Sequence, residues 1–124
     1  MKQQIRHLDS GREFYIEERC HIIELCNSAD DPDCSIARAR VEPGVTTCWH
    51  RLSETAERYL ILSGEGCVEV GELPAATVKP GDLVTIPPMT PQRITNTSSE
   101  DLIFYAICTP RFLPEHYQQL ESAE

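Results

Sequence analysis

Apolar and polar residues alternate in short runs along most of this chain, and turn residues separate the runs. The segments EFYIEER, HIIELC, SIARARV, TTCWHRL, ERYLILS, GCVEVG, ATVKPG, DLVTIP, QRITNT and DLIFYAIC are rich in Val, Ile, Leu, Tyr and Thr. Between them lie Glu42-Pro43-Gly44, Ser63-Gly64-Glu65-Gly66, Lys79-Pro80-Gly81-Asp82, the run from Pro87 to Pro91, and Asn96-Thr97-Ser98-Ser99. Short strands punctuated at this spacing predict an all-β sandwich or barrel. In ERYLILS one side carries Glu57, Tyr59 and Ile61 and the other Arg58, Leu60 and Leu62, whereas DLIFYAIC is apolar on both sides. A strand apolar on both faces is covered on both. One face meets the barrel core, and a second copy of the chain is the simplest cover for the other, so a homodimer is expected. The tail LPEHYQQLESAE is expected to form one or two helical turns after Pro114.

Length and charge narrow the picture. The 124 residues suit one domain, with N-terminal strands over 1–34, a barrel core over 35–110 and a tail over 111–124. A net charge of −9 speaks against nucleic acid or an anionic membrane surface as partner, because both call for a basic face. No apolar run approaches a membrane span. The start MKQQIRHLDSGREFY is too polar for a signal peptide, so a cytoplasmic location is expected. The six cysteines include no C-x-x-C pair, which points to buried thiols acting as small apolar residues rather than a zinc knuckle or redox motif.

The candidate chemistry sits in TTCWHRLSETAERYLILSGEG. Alternation puts Cys48, His50 and Leu52 on one strand face, and Glu57, Tyr59 and Ile61 on one face of the next. If their apolar members point inward, His50 and Glu57 do too. A buried carboxylate is costly unless it is paired or bound to a cation, so an imidazole and a carboxylate converging inside a barrel form a metal half-site. Without a cation, His50 is a core histidine hydrogen-bonded to Glu57 or Tyr59, and Gln92 donates its amide to Glu57. Arg51, Arg58 and Arg93 alternate outward, toward a subunit interface or the acidic surface. Arg38 and Arg40 share a face from which one could reach the barrel mouth and meet a carboxylate or phosphate.

The spacing itself resembles a known family. Gly44, His50, position 52, Glu57 and Gly64 fall at the intervals of the first cupin motif, in which position 52 is a second histidine. Gly81, Pro87, position 89, position 92 and Asn96 fall at those of the second, in which position 89 is glycine and position 92 histidine. The resemblance covers about residues 35 to 110 and implies a jelly-roll barrel, the double-stranded β-helix. Metal-binding cupins ligate iron, manganese, nickel, copper or zinc through three histidines and the glutamate. Here Leu52 and Gln92 stand in two of the histidine positions, so the implied ligand set is His50, Glu57 and Gln92, weakly holding a divalent Fe, Mn, Ni or Zn ion. The amide oxygen of Gln92 is a weak donor suited to harder cations.

Two functions follow from this resemblance. One is a metal-dependent enzyme of dioxygenase, isomerase or lyase type acting on a small molecule, in which His50, Glu57 and Gln92 hold the cation and Tyr59 serves as an acid–base group. The other is a metal-free cupin that binds or isomerises a small polar metabolite in the lumen. In that case burial should raise the Glu57 pKa toward that of a general base.

Overall fold

A computed structural model describes residues 1–121, so the last three residues of the expected tail lie outside the described residues. The chain forms strands β1 (Phe14–Ile16), β2 (Cys20–Cys26), β3 (Ser35–Val41), β4 (His50–Leu52), β5 (Ala56–Ser63), β6 (Gly66–Val70), β7 (Ala76–Val78), β8 (Leu83–Ile86), β9 (Gln92–Asn96), β10 (Leu102–Thr109) and β11 (Tyr117–Gln119). They build a six-stranded sheet in the order β1-β2-β3-β10-β5-β8 and a five-stranded sheet in the order β11-β4-β9-β6-β7. Every pairing is antiparallel. This is the expected jelly-roll, with the core between the sheets.

Register decides which residues reach that core. Across the six-stranded sheet, Ala37, Ala106, Tyr59 and Val84 lie side by side in one row, and Arg38, Tyr105, Leu60 and Leu83 in the next. Successive strand residues face opposite sides, so the first row lines the interior and the second the outside. Val41, Ile61, Ile94, Leu102 and Phe104 fill the centre, all essentially buried, each contributing about 1.5–3 kcal/mol on burial. The buried Asn96 stitches three segments together: its amide donates to the carbonyls of Val41 and Glu100, and its oxygen accepts from Ser98.

Two expectations change and a third, for the tail, is met and extended. The segment EFYIEER is not one strand: β1 ends at Ile16, and the Arg19 amide donates to the Ile16 carbonyl across a tight turn with Arg19 at φ 70°. Of TTCWHRL only His50–Leu52 is strand, and Thr46 makes an isolated bridge to Thr95. The tail forms a single short helical turn, Pro114–His116, and then β11, which pairs with β4. The amide of His116 donates to Leu113, while that of Leu120 is drawn to the Trp49 carbonyl, so backbone groups of the barrel edge take the tail into the sheet.

The motif turns keep left-handed backbone. Gly64 has φ +81°, and a Cβ there would lie 2.5 Å from the Asp101 carbonyl oxygen. Gly44 is also left-handed, but open space surrounds it. Met89, in the motif glycine position, adopts φ 66° and donates its amide to Leu52 O. A left-handed non-glycine residue is strained by roughly 1–2 kcal/mol. Gly44→Ala should therefore cost about that amount, and Gly64→Ala distinctly more. Met89→Gly should stabilise by up to about 1 kcal/mol once the greater freedom of glycine in the unfolded chain is deducted. Denaturant melts of the three variants check this ordering.

Candidate functional site

Two cross-strand pairs assemble the floor of the barrel. His50 on β4 is the direct partner of Gln92 on β9, and Glu57 on β5 is the partner of Cys108 on β10. The two motifs, far apart in sequence, thus meet across the lumen. Gln92 is fully buried and Glu57 is only 9% exposed.

Gln92 links its neighbours. Its Nε2 donates to Glu57 Oε1 at 2.5 Å, and its Oε1 accepts a short hydrogen bond from the Tyr59 hydroxyl. Only this orientation of the amide gives each neighbour a complementary partner. Glu57 Oε2 is left with the weak thiol contact of Cys108 at 3.8 Å. Burial, reinforced by the negative charge of Glu18, pushes the Glu57 pKa up to about 7, against the opposing influence of His50, Gln92 and Cys108. Burial also holds the Tyr59 hydroxyl well above the usual tyrosine range, so Tyr59 is a neutral donor.

His50 turns elsewhere. Its Nε2 meets Glu18 Oε1 at 2.7 Å, its Nδ1 meets the Cys48 carbonyl at 2.6 Å, and Tyr117 stacks on its ring at 5.1 Å between centroids. Both nitrogens face acceptors, an arrangement that favours the doubly protonated ring. Burial works against the charge, but the Glu18 carboxylate and the Cys48 carbonyl outweigh it, and the His50 pKa lies above its usual 6.5.

The three expected ligands are neighbours, but their donor atoms are committed. Both nitrogens of His50 are engaged, the amide oxygen of Gln92 takes the Tyr59 proton, and Leu52 contributes only hydrocarbon. Among the described residues no group of three or more His, Cys, Asp or Glu is placed to hold a metal ion. The donor set as arranged does not fit a cation. What it does fit is a hydrogen-bonded cluster with one weakly engaged carboxylate oxygen, Glu57 Oε2.

That oxygen belongs to a residue lining a cavity of about 300 Å³. Glu18, His50, Glu57 and Tyr59 form its polar end, and Phe14, Ile16, Ile22, Leu52, Phe104 and Phe112 are among its apolar walls. Neither Arg38 nor Arg40 lines it. Arg40 pairs on the outside with Glu13 and Asp101, and Arg38 shares the outward row. Arg93 pairs with Glu69 and lies over the Trp49 ring, Arg51 holds Gln118, and Arg58 holds Thr109. Cys20, Cys48 and Cys108 are buried free thiols whose pKa values burial raises, and Cys26, Cys34 and Cys67 are half-buried.

Sequence reasoning missed Glu18 and Tyr117. No glycine, proline or asparagine marks the turn at residues 17–19, so alternation could not show Glu18 swinging inward. Tyr117 arrives on a strand that the sequence presents as a tail.

The model of the family described as "Cupin domain" matches residues 37–108. The uncharacterized protein MJ1618 of Methanocaldococcus jannaschii is 33% identical over 87 residues, which covers 70% of this chain and 69% of that protein. Among solved structures, the chain is similar to Pac13, a nucleoside dehydratase, with a TM-score of 0.75 and 16% identity over 94% of this chain and 92% of that one. It is also similar to a predicted oxalate decarboxylase from Thermotoga maritima, with a TM-score of 0.67 and 25% identity over 73% and 80%.

A raised carboxylate pKa makes stability depend on pH. Glu57 binds a proton more tightly in the folded chain, so the folded state is favoured at low pH. That advantage is lost as pH rises from the usual 4.5 through about 7. The full loss corresponds to about 3 kcal/mol. Glu57→Gln should flatten this limb of the stability–pH curve and make the variant more stable than wild type above neutrality. Urea melts across that range check it.

Proposed function

The chain belongs to the cupin family, and from that premise we propose that it is a metal-free member whose lumen binds a small metabolite and whose Glu57 moves a proton on it. One observation carries this reading: a buried carboxylate lining a cavity, with one oxygen fixed by Gln92, the other in only a weak thiol contact with Cys108, and a pKa near neutrality. A general base or acid works best when its pKa lies near the working pH. Enzymes among the structural relatives, the nucleoside dehydratase and the predicted oxalate decarboxylase, support reading the chain as an enzyme.

The chemistry that suits one such carboxyl is a proton shift. Glu57 Oε2 takes a proton from carbon next to a carbonyl or imine, the carbon–hydrogen electron pair moves into the adjacent π system, and Glu57 returns the proton at the far end of that system, completing a 1,3 shift of the double bond. No electron is gained or lost overall, and no second base is required. Gln92 aims the carboxyl, Tyr59 fixes Gln92, and the Glu18–His50 pair supplies a charged wall. Tyr59 is thus a positioning residue in this scheme.

Two measurements test it. The carboxyl carbon of Glu57, followed by NMR, should titrate near 7, and a value in the ordinary carboxylate range would remove the base. Protein incubated with Fe(II), Mn(II), Ni(II) or Zn(II) and then desalted should retain only substoichiometric metal, whereas one equivalent held by His50, Glu57 and Gln92 would favour the metal-dependent alternative.

We also propose a homodimer formed through the outer face of the six-stranded sheet. In support, the row Tyr105, Leu60 and Leu83 is apolar, and Leu83 is 60% exposed in the single chain. Light scattering should give twice the chain mass for wild type and a monomer for Leu83→Glu. A monomeric wild type would refute the dimer.

A further inference from the structure

The lumen says more about its ligand than that it is small. Its volume, about 300 Å³, is about twice the roughly 150 Å³ that holds benzene in an engineered core. That space exists because small side chains occupy inward positions: Ala37 and Ala106 are cross-strand partners, and Ala39 pairs with Phe104 beside them. Larger residues in that row would fill the lumen from the sheet. Further walls come from β1, from Leu52 and from the chain around Phe112, and these are hydrocarbon or aromatic, while Asn27, Ser35 and Thr47 add small neutral polar groups.

The charges are equally specific. Glu18, Glu24 and Glu57 line the cavity, and His50 is the one group there that can carry positive charge; no lysine or arginine lines it among the described residues. His50 is already compensated by Glu18, with both nitrogens used. Arg111, near the rim, is held by the Asn27 side chain. An anionic ligand would therefore meet carboxylates with no free counter-charge, and burying an unpaired charge is strongly unfavourable. An ammonium fares little better. It needs three acceptors, while Glu57 Oε1 is held by Gln92, Glu18 Oε1 by His50 and Glu18 Oε2 by the Cys20 thiol. The Glu24 carboxylate belongs to an exposed residue, and of the oxygens of Glu18 and Glu57 the least committed is Glu57 Oε2, with only the weak thiol contact of Cys108.

We infer that the cavity takes an uncharged molecule with a ring-sized apolar body and a single hydroxyl or carbonyl head directed at Glu57, and that it rejects anions. Ala37 and Ala106 set the width available to that body. This rests on the proposed reading of the lumen as a metal-free ligand cavity and names the class of substrate it would act on.

Benzyl alcohol, benzylamine and benzoate share one ring and differ in the charge of the head, so they isolate the claim. Each is titrated into isotope-labelled wild-type protein, and amide shifts of Ala37, Ala39, Leu52 and Ala106 are followed. Benzyl alcohol should shift these amides saturably and bind at least about tenfold tighter than benzoate, a difference of about 1.4 kcal/mol, with benzylamine weaker than the alcohol. Ala37→Leu should abolish the response to the alcohol while Glu57 still titrates near 7. Ala106→Val serves the same purpose should Ala37→Leu fail to fold. Benzoate binding as tightly as the alcohol, benzylamine binding tightest, or none of the three shifting these amides would overturn the inference. The Glu57 titration keeps the two ideas apart: a value near 7 alongside any of those outcomes rejects the ligand class alone, and an ordinary value rejects the base.

Discussion

A carboxylate buried deep in a β-barrel is the constraint on which the rest of this site depends. Glu57 must either lose its charge or find hydrogen-bond donors, because the lumen offers no water-like dielectric to hold it. The chain does some of each. Gln92 and the Cys108 thiol supply donors, and burial with the nearby Glu18 shifts the carboxyl toward its neutral form. Gln92 can serve Glu57 only because its own oxygen is satisfied by Tyr59, so three residues on two sheets act as one unit. A hydrogen-bond network of this kind is rigid when every member is satisfied.

The fold makes that unit unavoidable. Antiparallel register sets His50 opposite Gln92 and Glu57 opposite Cys108, and a slip of one residue would turn each of them outward. Such a slip is opposed by the same strands' apolar residues, since Ile61, Ile94 and Leu102 would leave the core together with the polar cluster. Stability and site geometry are therefore enforced by one set of contacts.

Much of this was legible in the sequence. The turns at Gly44, Gly64 and Gly81 and the alternation in ERYLILS locate the strands and place Glu57, Tyr59 and Ile61 inside, as found. The link from Gln92 to Glu57 was readable too, because a buried amide and a buried carboxylate brought to one place have few other partners. Two things were not legible. The turn that delivers Glu18 is built on Arg19 in a left-handed conformation, where residue type gives no warning and only the tertiary pull of His50 and the Arg19 contacts to Thr46 and Glu121 explain it. The strand at Tyr117–Gln119 forms because β4 has an unfilled edge, a property of the assembled sheet and not of the tail.

The departures at Leu52 and Gln92 then read as parts of one arrangement. Leucine at 52 removes a ligand, and the imidazole of His50 lies against Glu18 and Tyr117 instead of pointing at a shared ion. Glutamine at 92 adds the one group that can accept from Tyr59 and donate to Glu57 at once; a neutral histidine there would offer a donor and an acceptor at a different separation and angle. Glu18 completes the set by engaging His50 Nε2, while the Cys48 carbonyl engages Nδ1, so both ring nitrogens have protein partners whatever stands at 52. Returning histidine to position 52 alone would leave His50 and Gln92 bound to their present partners. Three mutually supporting contacts, Glu18 with His50, Tyr59 with Gln92 and Gln92 with Glu57, engage the atoms that would otherwise ligate, and they leave Glu57 Oε2 with only a weak thiol partner in a residue that lines the cavity.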